Sequence, residues 1–217
     1  MIGIDNRVSD IRTMFKSIKP DPTTGMLEIV NASFIADEPI IFGTENKDYI
    51  ERELKWYLSQ SLNVNDIPAP VPQIWQNVAD ANGKINSNYG YLVFSTENGR
   101  QYECAVSTLK RDKHSRQAAL IYNRPSIHID AYTNGMKDFI CTYSQQFIIR
   151  DNKLHLLVYM RSNDAVFGYK NDVAWAKYLL NKAYTDLLST YSDLSVGSIV
   201  WNAASLHVYP RHLHLVV

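Results

Sequence analysis

Residues 143–161 read YSQQFIIR, then DN, then KLHLLVYMR. Two strand-like runs, 143–150 and 153–161, flank Asp151-Asn152, a pair that signals a hairpin turn. The second run is apolar at successive positions, so both of its faces are expected to be buried. A strand pair with a buried member needs further layers over it, and the sequence on either side supplies them. Upstream, residues 118–123 read as a strand and residues 97–110 as a helix opening on polar Glu97 and Asn98. Residues 47–61 form an amphipathic helix with Asn46 as N-cap and Ile50, Leu54, Tyr57 and Leu58 at i, i+4, i+7 and i+8. Pro68, Pro70 and Pro72 then force an extended loop. Residues 27–35, LEIVNASFI, make a strand after a turn from Asp21-Pro22 to Gly25. Downstream, residues 173–188 form a helix with Val173, Ala176, Leu180, Ala183 and Leu187 on one stripe, and residues 196–201 and 205–209 are strand-like. Helices mix with strand pairs without regular βαβ alternation, which favours an α+β fold.

The length, 217 residues, suits one domain over residues 1–217 with a single core. Lys plus Arg equals Asp plus Glu at 22 each, so no global field draws the chain to nucleic acid or an anionic membrane. The tightest basic group, Lys110-Arg111-Asp112-Lys113, reads as a solvated helix end. With only Cys104 and Cys141, neither a disulfide framework nor a cysteine-ligated zinc site is expected, and a reducing compartment fits. The first ten residues lack the apolar run of a signal peptide, and no stretch approaches ~20 consecutive apolar residues. Fourteen tyrosines and four tryptophans hint at a cleft with stacking surfaces.

No Gly-rich phosphate loop, HExxH helix or GxSxG elbow is present, so the chemistry must rest on single residues. Each candidate has a bland reading that wins in isolation. Cys141, in Asp138-Phe139-Ile140-Cys141-Thr142, would be a small buried hydrophobe. His207, in Ser205-Leu206-His207-Val208-Tyr209, would be a satisfied structural histidine. Glu53, one residue off the apolar stripe, would be solvated, and Arg161-Ser162-Asn163-Asp164 would be a strand reaching water. Asp172 would cap a helix starting at Val173.

Taken in order, however, these segments form a pattern. It joins residues 32–39 (ASFIADEP), Tyr49-Ile50-Glu51-Arg52-Glu53-Leu54, Ile85-Asn86-Ser87-Asn88-Tyr89-Gly90 and the Cys141 segment. It continues through Arg161 to Asp164, Asn171-Asp172, and Trp201-Asn202 to Tyr209. Over some ~190 residues, from about Leu27 onward, the chain resembles the thymidylate synthase superfamily, and within it the phage deoxycytidylate hydroxymethylases.

The resemblance implies a thymidylate synthase-like α+β fold, a mixed sheet packed by helices with one sheet face at a homodimer interface. It implies that the Cys141 thiolate attacks C6 of a pyrimidine nucleotide, which makes C5 nucleophilic toward 5,10-methylenetetrahydrofolate. Nearby arginines, Arg161 first, are expected to favour that thiolate. Glu53 would organise water and proton transfers, and Tyr89 would line the catalytic cleft. Asp172 stands where synthases carry an asparagine for uracil. A carboxyl there accepts from the cytosine 4-amino group and, protonated, donates to N3, so dCMP is the implied substrate. Arg161, Ser162 and Arg116 would hold phosphate, Arg116 from across the dimer. His207 and Tyr209 would hold the sugar hydroxyl, and Trp75 and Asp164 would lie on the folate side. No metal, direct nucleic-acid contact or membrane association is implied, and the expected compartment is the cytoplasm, a host's if the chain is phage-encoded.

Two departures stand against the family pattern. Gln117 replaces a second consecutive arginine, a loss that Arg124 could offset. The chain stops at His214-Leu215-Val216-Val217, where relatives continue, and an open site would favour water as the final nucleophile. The expected product is therefore 5-hydroxymethyl-dCMP. The alternatives are a dCMP 5-methylase, a CMP 5-hydroxymethylase, or a catalytically weak nucleotide-binding homologue.

Overall fold

In the computed structural model, which describes residues 3–216, six strands form one mixed sheet. Met1, Ile2 and Val217 lie outside the described residues, so both terminal segments quoted above are described only in part. The strands are β1 (Leu27–Ile35), β2 (Ala119–Ile121), β3 (Thr142–Arg150), β4 (Lys153–Met160), β5 (Asn163–Asp164) and β6 (Ser195–Val208). Their order is β1-β6-β4-β3-β2, with β5 beside the end of β6. The helices are α1 (Val8–Ser17), α2 (Lys47–Ser59), α3 (Gln73–Val78), α4 (Tyr89–Phe94), α5 (Gln101–Arg111), α6 (Ile127–Asp130) and α7 (Gly168–Leu187).

The expected hairpin is present. Asp151 and Asn152 both adopt positive φ, 50° and 57°, as a two-residue turn matched to strand twist requires. β3 and β4 pair antiparallel from Arg150↔Lys153 to Thr142↔Met160. β4 is buried on one face by Leu154, Leu156, Val158 and Met160, which lie under α7. Its other face is only partly covered, with Tyr159 exposed, so burial on both faces is not what the structure shows. β6 runs parallel to β4, and α7 is the crossover between them.

Other expectations shift. Residues 196–201 and 205–209 are one fourteen-residue strand, β6. The polar stretch at Asn202 to Ser205 pairs with β1 and does not break the strand. Opposite Ala204, Asn31 takes φ 57°, and both strands change buried face around that point. The helix expected over 173–188 begins five residues earlier, so Asp172 lies inside α7 and is not its cap. The helix over 97–110 starts at Gln101, after a turn at Ser95 to Arg100. The strand over 118–123 is reduced to Ala119–Ile121.

α2 is capped by Asn46, whose side chain accepts from Tyr49 N at 3.0 Å. It spans 47–59 and is rotated from the expected stripe. Glu53, Trp56 and Tyr57 face inward while Leu58 is exposed. The reason is a buried aromatic cluster that pulls on this face. Tyr57 stacks on Tyr89 at 5.1 Å, and Trp175 meets Tyr57 edge-on at 5.4 Å. Such pairs add about 0.5–1.5 kcal/mol each beyond area burial. Much of the aromatic excess lies in this cluster behind the cleft. Lys110 and Arg111 end α5 in solvent as expected, while Lys113 donates to Asn152 at 2.6 Å. No helix among the described residues is long and apolar enough to cross a membrane.

Candidate active site

The parallel strands β4 and β6 end on the same side of the sheet, and the Cys141 segment crosses beside them. Arg161, just past β4, donates its backbone N–H to Cys141 O at 2.7 Å. Its guanidinium lies 3.8 Å from Cys141 Sγ, reaches Phe139 O at 3.3 Å, and sits over the Phe139 ring. Asp138 anchors the other side. Its carboxylate accepts from the backbone of Asn86 and Ser87 at 2.7 Å each and from Ser87 Oγ at 2.6 Å. That clip holds the residues leading into α4 against the Cys141 loop, which brings Tyr89 to the site. Tyr89 shares a 2.8 Å hydrogen bond with Thr142, and burial pushes its phenol far up.

Asp172 faces Cys141 from α7. Asn163 Nδ2 donates to Asp172 Oδ2 at 2.7 Å. Burial, reinforced by the Glu53 carboxyl, holds Asp172 well above the usual carboxylate range against the hydrogen bonds from Asn163 and Tyr89. Glu53 itself is buried, not solvated, and burial raises it to about 7. Its Oε1 accepts from Tyr49 Oη and Trp75 Nε1, both at 2.9 Å. Glu53 and Asp172 are therefore both desolvated and coupled, so ionising one opposes ionising the other.

The thiol departs from expectation. Burial pushes Cys141 up to about 11, and the Asp172 carboxyl adds to the rise. Arg161 opposes both and loses. Burial and the Asp172 carboxyl thus favour the thiol over the thiolate, with Arg161 pulling the other way.

His207 lies at the end of β6, with its ring 4.8 Å from that of Tyr209, edge to face. Burial lowers its pKa, and Asp164 opposes that shift. Burial raises Tyr209 and Asp164 adds to the rise, while Asp164 accepts from Val166 N at 2.8 Å. Of the two residues assigned to the folate side, Trp75 donates to Glu53, and Asp164 acts on His207, Tyr209 and Asp172. Ser162 is half-buried between Arg161 and Asn163. Arg116 is exposed on the loop after α5, and its guanidinium makes no hydrogen bond or ion pair among the described residues. Its carbonyl accepts from Gln146 of β3 at 2.7 Å. Gln117 is exposed beside it. Arg124 is not free to replace a missing arginine, since it is held by Asp130 at 2.8 Å, Asn86 at 2.9 Å and Ser126 at 3.1 Å.

Sequence reasoning did not single out Tyr49, Asn163, Asp138 or Phe139, which contact the candidate site or its supporting loop. Tyr49 had a usable signal, its i, i+4 spacing to Glu53 on one helix. Three buried polar atoms around this site have no partner among the described residues: Arg161 Nε, Asn163 Oδ1 and Asn171 Oδ1. Unpaired buried groups are costly, so a cluster of them fits a polar ligand that completes it. The arrangement brings together a sulfur, a carboxyl that burial pushes toward its protonated form and a second carboxyl raised to about 7, groups suited to nucleophilic attack and proton transfer.

Comparison with known proteins finds clear relatives of the chain. The chain is 51% identical over 192 residues to the deoxycytidylate 5-hydroxymethyltransferases of enterobacteria phages T4 and T2, covering 88% of this chain and 78% of theirs. The corresponding phage T6 enzyme is 50% identical over the same span. Among solved structures, thermostable thymidylate synthase A from Bacillus subtilis superposes with a TM-score of 0.63 at 26% identity, over 87% of this chain and 68% of that one. The thymidylate synthase family profile matches residues 45–217, and the chain belongs to that family.

Proposed function

We propose that this chain transfers a one-carbon unit from 5,10-methylenetetrahydrofolate to C5 of dCMP and that water completes the reaction, giving 5-hydroxymethyl-dCMP. The observation that carries the reading is Asp172, a desolvated carboxyl with Asn163 donating to its Oδ2. Asn163 and Tyr89 together hold the carboxyl in place. A neutral carboxyl so fixed donates to cytosine N3 and accepts from the 4-amino group, a pattern opposite to that of uracil. The three phage relatives, named for deoxycytidylate, support the same substrate.

The chemistry follows from the groups present. As sulfur bonds to C6, Cys141 gives up its proton to solvent and the ring takes the Asp172 proton at N3, with Arg161 next to the sulfur. The adduct makes C5 an enamine carbon, which attacks the methylene supplied by the folate. C5 then loses its proton and tetrahydrofolate departs, leaving an exocyclic methylene conjugated with the ring. Glu53 orients and deprotonates the water that adds to this carbon, and sulfur leaves C6 with its electron pair. Trp75 and Asp164 are the residues proposed for the folate side. Arg161 and Ser162 take the phosphate, and His207 with Tyr209 takes the sugar hydroxyl.

The proposed assembly is a homodimer through the outer sheet face, where Ile148 and Leu157 are half-buried and Tyr159 is exposed. Gln146 lies on that face and holds the Arg116 backbone, which would aim Arg116 at the partner's site. The test is incubation with dCMP, CMP or dUMP plus methylenetetrahydrofolate, read by product mass. The expected result is 5-hydroxymethyl-dCMP with tetrahydrofolate recovered. A methylated product with dihydrofolate, or turnover of dUMP alone, overturns the proposal. In Asp172→Asn, dCMP turnover should fall by about 10²-fold or more while dUMP gains. An unchanged ratio would refute the assignment of base recognition to Asp172.

A further inference from the structure

Glu53 is held asymmetrically. Tyr49 Oη and Trp75 Nε1 both donate to the same oxygen, Oε1, at 2.9 Å each. Oε2 has no hydrogen-bond partner among the described residues, although the residue is only 5% exposed. Trp75 is itself fixed by edge-on packing against Trp56, with ring centroids 5.0 Å apart. Tyr49 is fixed by its place one turn before Glu53 on α2, where its backbone N–H donates to the Asn46 cap at 3.0 Å. A carboxyl with two donors on one oxygen cannot carry its proton there, because that oxygen faces hydrogens from both sides.

We propose that Tyr49 is a positioning residue for Glu53: with Trp75 it reserves Oε1 as a permanent acceptor and confines the exchangeable proton to Oε2. The inference rests on Glu53 being the proton-transferring carboxyl of the proposed reaction. It assigns the two oxygens different tasks. Oε2 takes the proton from the water that adds to the methylene, and Oε1 anchors the group so that Oε2 points one way. A second donor also offsets part of the desolvation that burial imposes on the carboxylate, which keeps the group in a range where it can both take and release a proton. The titratable groups facing Glu53 are Tyr49 and Tyr57 from α2 and Asp172 from α7, with Tyr89 of α4 and Cys141 behind Asp172. The tyrosines are buried phenols that stay neutral, so Asp172 is the neighbour whose charge matters.

The decisive experiment is a carboxyl titration by ¹³C NMR on protein labelled at glutamate, with Glu53→Gln assigning the resonance. In the wild type one glutamate should titrate far above the others. In Tyr49→Phe, which keeps the ring and removes only the hydroxyl, that titration should move up by about one unit. The acidic limb of the pH–kcat profile for dCMP should move with it, with KM for dCMP unchanged. A resonance that does not move in Tyr49→Phe overturns the proposal, whatever the activity. A resonance that moves while the pH–kcat profile stays still overturns Oε2 as the reacting oxygen. Because the titration is read on the free protein, failure of the dCMP reading leaves the hydrogen-bond assignment separately tested. A Tyr49→Phe protein with altered near-ultraviolet circular dichroism would mark a packing role and also count against it.

Discussion

The parallel pair β4–β6 has two ends that treat buried polar groups in opposite ways. At the end where both strands begin, His155 Nδ1 accepts from Ser198 N at 2.9 Å and fills the irregularity between Leu154 and Leu156. The fit is tight enough that a Cβ on Gly197 would lie 2.4 Å from that nitrogen. Nearby, Asn152 donates to Asp193 Oδ2 at 2.8 Å. At the end where both strands finish, Arg161 Nε, Asn163 Oδ1 and Asn171 Oδ1 have no partner, and three acids are pushed up by burial. The same two strands therefore carry a saturated end and an unsaturated one. Burial alone does not mark function. What marks the second end is the coincidence of unmet hydrogen-bonding capacity with acids pushed up by burial, since Trp201 Nε1 and Gln145 Oε1 also lack partners among the described residues.

The largest expected effect tests the unsaturated end. Replacing Cys141→Ser removes the sulfur nucleophile while keeping size and hydrogen-bonding capacity. Release of tritium from 5-tritiated dCMP should fall on the order of 10⁴-fold, since no C6 adduct means no acidic C5 proton. Release at the wild-type rate would remove Cys141 from the mechanism. The free thiol should also react slowly with iodoacetamide at neutral pH, with a rate that climbs toward pH 11. A low-pH plateau would mean that Arg161 outweighs burial after all.

The two ends also differ in how legible they were. The hairpin turn at the saturated end is local, so Asp151-Asn152 between apolar runs announced it. The parallel pairing next to it joins β4 to a strand some forty residues later, and no local pattern encodes that. β6 looked like two strands because its pairing with β1 overrides the polar Asn202 to Ser205. α7 looked shorter because Gly168 and Lys170 hide its first turn; Lys170 is buried by donating to Thr44 O at 3.0 Å. At the unsaturated end, Cys141, Glu53 and His207 each looked bland, since chemistry is a property of their juxtaposition. Their proposed roles became readable only as ordered segments of a family. Glu53 is the sharpest case: periodicity put it on the wet face, and the aromatic cluster turned it inward.

That inward turn gives an intermediate effect. Glu53 has a folded-state pKa of about 7, above its ordinary 4.5. Between those values the unfolded chain releases the proton and the folded chain keeps it, so stability falls as pH rises through that window. Glu53→Gln keeps an oxygen for Tyr49 and Trp75 and cannot ionise. It should lower turnover by about 10²–10³-fold and yet raise stability at pH 8 by roughly 2–3 kcal/mol, with the gain vanishing near pH 4. Denaturant titrations at the two pH values check this. A variant less stable than the wild type at pH 8 would mean that Glu53 serves structure, and the contrast between the two strand ends would lose its main support.

The smallest effect on activity belongs to the saturated end. His155→Ala leaves Ser198 N–H without its acceptor and opens space beside Gly197, at a cost of about 1–3 kcal/mol in stability. Turnover of dCMP should stay within about twofold, because His155 lies at the opposite end of β4 from Arg161. The pH dependence runs opposite to that of Glu53. Burial lowers the His155 pKa below 6.5, so its contribution to stability is present above 6.5 and is lost as pH falls, when the unfolded imidazole takes a proton that the folded one refuses. Wild-type stability should therefore drop between pH 6.5 and 5 more steeply than that of His155→Ala, and midpoints from urea unfolding at several pH values measure it. Parallel curves would mean that His155 charges freely in the folded chain, which a ring accepting the Ser198 N–H through Nδ1 cannot do while that bond holds.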